Sequence, residues 1–146
     1  MRGLRFGVAM LVGIFLLSAS AQACSCAPQA PADSLREADA AVTARLVAVL
    51  PHGPGQALYR YELRRVYKGA EKLEAGRMLD VHSSRRSAAC ALPRRIGRAY
   101  GLFLLTRHRR WFGSICRVVS PKRMRRVAQS QATDSARASV QPVLCG

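Results

Sequence analysis

The chain has 146 residues, of which 24 are Lys or Arg and 8 are Asp or Glu, so its formal net charge is +16. This length allows one domain with a single modest core. The acidic residues are spread singly and no nucleophile motif is present, so we expect no enzyme, whereas the excess positive charge predicts a surface that attracts polyanions.

The first 23 residues have the three-part pattern of a secretory signal peptide. Two arginines precede an apolar run from Phe6 to Leu17, and small residues then end in Ala21-Gln22-Ala23. The run is too short for a membrane-spanning helix. A lipoprotein signal is disfavoured because Ala21 stands where a large aliphatic residue is expected. We therefore predict a signal peptide over residues 1–23 and a soluble, secreted or periplasmic protein that begins at Cys24 and suits a bacterial host.

All five cysteines lie after the predicted cut, at positions 24, 26, 90, 116 and 145. In an oxidising compartment disulfides are the default, and one thiol is left over. Cys24-x-Cys26 has three interpretations. A metal site lacks companions because the three histidines are scattered in sequence, and a redox motif lacks the usual two-residue spacer. The third interpretation is two structural half-cystines with distant partners.

The first half of the mature chain predicts a helical turn followed by three strands. The segment from Cys24 to Pro31 is extended, and Ala32 to Ala38 forms the turn. Alternating apolar residues predict strands over Ala40 to Leu50, Leu58 to Tyr67 and Arg77 to His82. The apolar phase of the second strand slips at Arg64-Arg65, which predicts a β-bulge there.

The second half predicts two more strands and a helix. Ser83 to Ala89 is a polar loop that leads to Cys90, and Ala99 to Thr106 is the most apolar run and predicts a central strand. The turn Arg107 to Arg110 leads into a last strand over Trp111 to Val119, which carries Cys116 on its outgoing half. Five strands predict an all-β fold with minor helix, built as a small closed antiparallel barrel.

Pro121 then interrupts the chain, and Lys122 to Val140 predicts a basic helix. Its apolar stripe of Met124, Val127 and Gln131 is too thin to promise strong docking. We divide the chain into a signal peptide (1–23), a barrel domain (24–121) and a basic C-terminal segment (122–146).

Basic residues recur in clusters, most of them in predicted turns. They are Arg64-Arg65, Arg85-Arg86, Arg94-Arg95, Arg107-His108-Arg109-Arg110 and Lys122 to Arg126. One interpretation is a polyanion site, and the other is an arginine-rich genome together with solubility. Aromatic interleaving is weak, so nothing predicts a specific nucleic-acid partner.

Short sequences in a characteristic order carry a resemblance to a known family. They are Cys24-Ser25-Cys26-Ala27-Pro28, Glu37 to Val42, Tyr61-Glu62-Leu63, Val66-Tyr67-Lys68-Gly69, Ser87-Ala88-Ala89-Cys90, Tyr100-Gly101-Leu102-Phe103 and finally Cys116. In this order and spacing they resemble the N-terminal domain of tissue inhibitors of metalloproteinases, within the netrin-like modules built on an OB-type barrel. The resemblance covers most of the mature chain, to about Pro121.

The resemblance implies the disulfides Cys24–Cys90 and Cys26–Cys116. It further implies that the amine and carbonyl of Cys24 chelate the catalytic zinc of a metalloprotease, and that Ser25 enters the neighbouring specificity pocket. Cys26 and the ridge Ser87-Ala88-Ala89-Cys90 would also contact the protease. On this interpretation the protein is a monomer with no cofactor and no metal of its own.

The sequence departs from the family at several points. Arg36 replaces the family's third cysteine, so Cys145 has no inherited partner, and the segment 122–146 replaces the half that follows the barrel in the animal inhibitors. The loop between the first two strands is also short. The alternative function is a non-inhibitory cationic module that binds envelope polyanions or lipid headgroups. A lipid anchor on Cys24 would acylate the amine that inhibition requires.

Overall fold

The computed structural model describes residues 24–139. The predicted signal peptide and Cys145 lie outside this range. Two α-helices and six strands follow one another in the chain: α1 (Pro31–Glu37), β1 (Ala40–Pro51), β2 (Gln56–Lys68), β3 (Met78–Ser84), β4 (Ala99–Arg107), β5 (Arg110–Phe112), β6 (Val118–Val119) and α2 (Pro121–Ser139). Short 3₁₀ turns occupy Ser87–Ala89 and Ile115–Arg117.

Five strands close into a barrel. The order of neighbours is β1-β2-β3-β5-β4, and β4 pairs back with β1, so the ring has no open edge. The predicted fold class is therefore confirmed as a mostly β, OB-like barrel with a short N-terminal helix and a C-terminal helix. The β3–β5 pairing is parallel, which differs from the expected all-antiparallel arrangement. The short β6 adds a sixth strand beside β4.

Alternating residues of the strands fill the barrel interior. Among the largest fully buried side chains are Tyr59, Tyr61, Leu46, Leu63, Leu102, Leu104, Val42 and Val81. The register between β1 and β2 shifts where Thr43 lies opposite Arg65 and Ala44 lies opposite Leu63, so that Arg64 is skipped. This is the place where the apolar phase of the sequence slips, and the shift keeps Leu63 pointing into the core.

The prediction of one last strand from Trp111 to Val119 is wrong. The chain leaves the sheet after Phe112, forms a 3₁₀ turn that contains Cys116, and returns as the two-residue β6. The departure begins at Gly113, whose amide donates to the His82 carbonyl at 3.1 Å. A Cβ at this glycine would lie 3.2 Å from side-chain atoms of Leu92 and Val81. Glycine therefore allows close packing against the barrel at the point where the chain leaves the sheet.

The two helices cover the outside of the barrel. Met124 of α2 is completely buried in a second apolar cluster that includes Leu35 of α1 and Phe103 of β4. Gln131 also donates to the Ala32 carbonyl at 3.3 Å. The narrow apolar stripe of α2 therefore docks on the barrel, because the long side chain of Met124 fills the space between α1 and the sheet. Pro121 is the first residue of α2, where its fixed φ suits a helix start.

No helix within the described range, 24 to 139, is long and apolar enough to cross a membrane.

Candidate functional site

Two adjacent disulfides fix the N-terminal segment to the barrel. Cys24 is bonded to Cys90 and Cys26 to Cys116, the pairing that the resemblance implies. The two bridges touch, since the Sγ atoms of Cys90 and Cys116 lie 3.8 Å apart. The segment from Cys24 to Ala30 has no regular secondary structure, so covalent bonds rather than a strand ladder define its course.

Cys90 ends the 3₁₀ turn in a left-handed conformation with φ 57°. A residue with a Cβ pays about 1–2 kcal/mol for this conformation. The surrounding bonds hold it there: the Cys90 amide donates to the Ser87 carbonyl at 3.1 Å, and its carbonyl accepts from the Ile115 amide at 3.1 Å. This second bond links the Cys90 turn directly to the turn that carries Cys116.

The ridge Ser87-Ala88-Ala89 is exposed and precedes Cys90. Its base is anchored on both sides. The Arg85 amide donates to the Gly55 carbonyl at 2.9 Å, and the Leu92 amide donates to the buried Ser83 hydroxyl at 3.3 Å. The ridge is therefore a short, hydrogen-bonded turn that projects beside the Cys24–Cys90 bridge.

A polar cluster at Glu37 gives the N-terminal segment a further anchor. Gln29 donates to the Glu37 carboxylate at 2.9 Å, and Arg117 donates to the same oxygen at 3.1 Å. The hydrogen bond from Gln29, followed by that from Arg117, lowers the pKa of Glu37. Sequence reasoning missed this cluster because Arg117 lies 80 positions after Glu37 and no short motif joins them.

The N-terminal segment lies at the surface of the protein. Ser25 and Cys26 are exposed, and Cys24 is half-buried. Within the described part of the chain, neither the nitrogen nor the carbonyl oxygen of Cys24 has a hydrogen-bond partner. These two atoms, with the exposed Ser25 side chain next to them and the ridge beyond the disulfide, form the candidate site.

The cysteine sulfurs themselves offer no metal site in the oxidised protein. The Sγ atoms of Cys24, Cys90 and Cys116 lie within 4.8 Å of one another. Each is half of a disulfide, so none supplies the thiolate that zinc binds. Of the three interpretations of Cys24-x-Cys26, the structural half-cystines are the one that the bonds of the structure match.

Two of the histidines that are distant in sequence meet at the end of β3. The ring centroids of His52 and His82 lie 4.8 Å apart, and those of His82 and Phe112 lie 5.3 Å apart. Burial lowers the pKa of His82, and the positive charges of His52 and Arg110 lower it further. Sequence reasoning missed this pair because the whole of β2 and the turns on either side of it lie between the two histidines.

A minority of the arginines in the described range are paired with neighbouring carboxylates. Arg45 and Arg64 both donate to Glu62, at 2.7 and 3.3 Å. Arg60 forms a two-pronged pair with Asp80, at 2.8 and 2.9 Å, and its hydrogen bond lowers the pKa of that carboxyl. Arginines of the turns, such as Arg95 and Arg98, form no ion pair with any residue of the described range.

Comparison with known protein families and with curated proteins finds no match to the sequence. The firm description is an OB-like five-stranded barrel with two disulfide bonds. Disulfides of this kind are typical of an extracellular or periplasmic compartment.

Proposed function

We propose that the mature protein is a relative of the tissue inhibitors of metalloproteinases and blocks a zinc metalloprotease with its first residue, Cys24. One observation carries the proposal. The nitrogen and carbonyl oxygen of Cys24 have no partner among residues 24–139, while its side chain is bonded to Cys90 beside an exposed ridge. Both backbone atoms are thus available to a ligand, and the disulfide to Cys90 fixes the residue that carries them.

The chemistry requires that Cys24 be the first residue. An α-amino group titrates at about pH 8, so a metal ion displaces its proton at little cost near neutral pH. The nitrogen and the carbonyl oxygen of one residue then close a five-membered chelate ring on the metal. A catalytic zinc keeps one coordination position open for water or substrate, and the chelate occupies that position.

The surroundings of Cys24 support a wedge that enters the protease cleft. Ser25 follows the chelating residue directly, so its small side chain enters the pocket next to the zinc. Cys26 and the ridge Ser87-Ala88-Ala89-Cys90 contact the walls of the cleft. The two disulfides hold these parts in place before binding, which reduces the conformational entropy lost in the complex.

The first experiment determines the true N-terminus. Intact mass and N-terminal sequencing of the exported protein should give an unmodified Cys24 as the first residue. A start at Ala21, or an acylated Cys24, would eliminate the chelating amine and with it the proposed mechanism. An acylated terminus would favour the lipid-anchored alternative.

The second experiment tests inhibition with proteins whose N-termini are defined. One begins at Cys24, a second carries an extra Ala before Cys24, and a control carries an extra Ala after Gly146. Assayed against a panel of zinc metalloproteases, the first and the control should inhibit, whereas the second should lose at least about a hundredfold in inhibition constant.

Both disulfides are checked by mass in each protein, so that misfolding is not mistaken for loss of the chelate. Equal inhibition by the protein with the extra N-terminal Ala would refute the mechanism.

A further inference from the structure

A rigid, arginine-rich loop lies between β3 and β4, and the proposed inhibition does not use it. We call residues 93–98 the arginine loop. Two hydrogen bonds attach it to β1: the Gly97 amide donates to the Leu46 carbonyl at 2.7 Å, and the Leu46 amide donates to the Arg98 carbonyl at 3.0 Å. Gly97 has φ 81°, which lets the turn from Arg95 to Arg98 close. The backbone of the loop is therefore held against β1.

The arginine loop forms one wall of a shallow depression of about 410 Å³. Pro93, Arg94, Arg95, Arg98 and Tyr100 line it, so three of its five lining residues are arginines and none is acidic. Like charges held close together repel one another, and a bound anion relieves that repulsion. The depression therefore favours an anionic ligand.

The charges of this loop differ from those of the neutralised arginines on the strands. Arg95 and Arg98 make no ion pair and no side-chain hydrogen bond to any residue between 24 and 139. Arg94 is occupied, because its guanidinium donates to the Tyr59 hydroxyl at 3.3 Å and to the Arg85 carbonyl. Arg94 therefore supports the depression, while Arg95 and Arg98 retain their guanidinium groups for a ligand.

The same loop carries an exposed apolar side chain. Ile96 lies between Arg95 and Arg98 in sequence and is 67% exposed, the largest exposure among the large hydrophobic residues of the described range. A soluble anion bound between the arginines gains nothing from an exposed isoleucine in the same loop. A lipid surface offers phosphate groups to the arginines and, just beneath them, the acyl boundary to the isoleucine.

From this combination we infer that the arginine loop docks on an anionic membrane surface. Arg95 and Arg98 bind lipid phosphate groups, for which the planar guanidinium is well suited, and Ile96 enters the interface between headgroups and acyl chains. The inference stands apart from protease inhibition, because it uses neither Cys24 nor the ridge.

The test compares variants of the full exported chain in a vesicle co-sedimentation assay. The probes are phosphatidylcholine vesicles with and without phosphatidylglycerol. R95Q/R98Q removes the two cations, I96S removes the apolar side chain without changing charge, and R125Q/R126Q is the matched control. The control removes the same charge from exposed positions of α2.

The expected result is binding of the parent protein to the phosphatidylglycerol vesicles only. R95Q/R98Q should weaken that binding about tenfold or more, I96S about threefold or more, and the control by less than about threefold. Equal weakening by R95Q/R98Q and the control would overturn the inference in favour of diffuse charge attraction. Unchanged binding by I96S, or no vesicle binding at all, would also overturn it.

A titration with inorganic phosphate, followed by NMR of the arginine Nε–H groups, separates lipid from free anion. Lipid docking predicts that vesicles bind far more tightly than inorganic phosphate. Binding of inorganic phosphate in the absence of vesicle binding would identify a soluble anion as the ligand and would refute the membrane proposal.

Discussion

Removal of one disulfide should cost nearly the same stability whichever bridge is removed. Taken separately, Cys24–Cys90 and Cys26–Cys116 close loops of different length, with sequence separations of 66 and 90. In the intact protein, however, each bridge acts on a chain that the other already closes. The shortest remaining path runs from Cys24 to Cys26, across to Cys116 and back to Cys90, which is about 28 residues for either bridge.

The loop-entropy relation turns this topology into free energies of unfolding. A loop of about 28 residues corresponds to about 3.6 kcal/mol, so C24S/C90S and C26S/C116S should each lose about this amount. The last remaining bridge closes its full loop and is worth about 4.5 kcal/mol. Removal of all four cysteines should therefore cost about 8 kcal/mol, which is comparable to the whole stability of a typical domain.

Guanidinium denaturation followed by far-UV circular dichroism measures these differences. The parent and all variants carry C145S, so that no stray thiol exchanges with the bridges. A difference of more than about 2 kcal/mol between C24S/C90S and C26S/C116S would contradict the shared-loop argument. The argument would also be contradicted if removal of all four cysteines lowered the free energy of unfolding no more than removal of one bridge does.

Two further predictions concern packing and titration. G101A should lower the free energy of unfolding by about 1–3 kcal/mol, because the added Cβ would lie 2.8 Å from the Met124 Cβ and 2.9 Å from Val119 Cγ2. An unchanged free energy of unfolding in guanidinium denaturation would mean that α2 shifts to accommodate the added methyl group. The pKa of His82 should lie below 6.5 by NMR titration. Between the folded pKa and about 6.5, the unfolded chain binds more protons than the folded protein does, so the free energy of unfolding should rise with pH in this range. The variant H82Q should lack this rise. A folded pKa at or above 6.5 would contradict the effect of burial and of the His52 charge.

The barrel strands were predictable because alternate residues of each strand face the enclosed interior and are therefore apolar. The predicted strand from Ala40 to Leu50 differs from β1 by one residue, and the slip at Arg64 coincides with a real register shift. The last strand was not predictable, because apolar residues continue on both sides of Gly113 although the chain leaves the sheet after Phe112 and returns only at Val118. Local pattern contains no information on where a chain leaves one sheet to reach a distant disulfide.

The disulfide pairing at the candidate site was implied only by the family resemblance. Cysteine count and compartment predicted disulfides, but no local rule connects Cys24 with Cys90 across 66 positions. The docking of α2 depends largely on Met124, which is completely buried in the cluster that contains Leu35 and Phe103. The Glu37 anchor is a long-range contact that reasoning about spacing cannot detect, since it forms only after the barrel closes.

The candidate inhibitory site and the arginine loop are neighbours, and Arg94 connects them. Its guanidinium donates to the Arg85 carbonyl at the base of the ridge, and it lines both the loop's depression and a second one of about 380 Å³ that Ser87 also lines. An extra residue before Cys24 leaves the loop unchanged, and substitution of Arg95 leaves the bonds of Arg94 in place. The two proposals can therefore fail independently. Replacement of Arg94, by contrast, would disturb both sites, because the ridge and the loop share its hydrogen bonds.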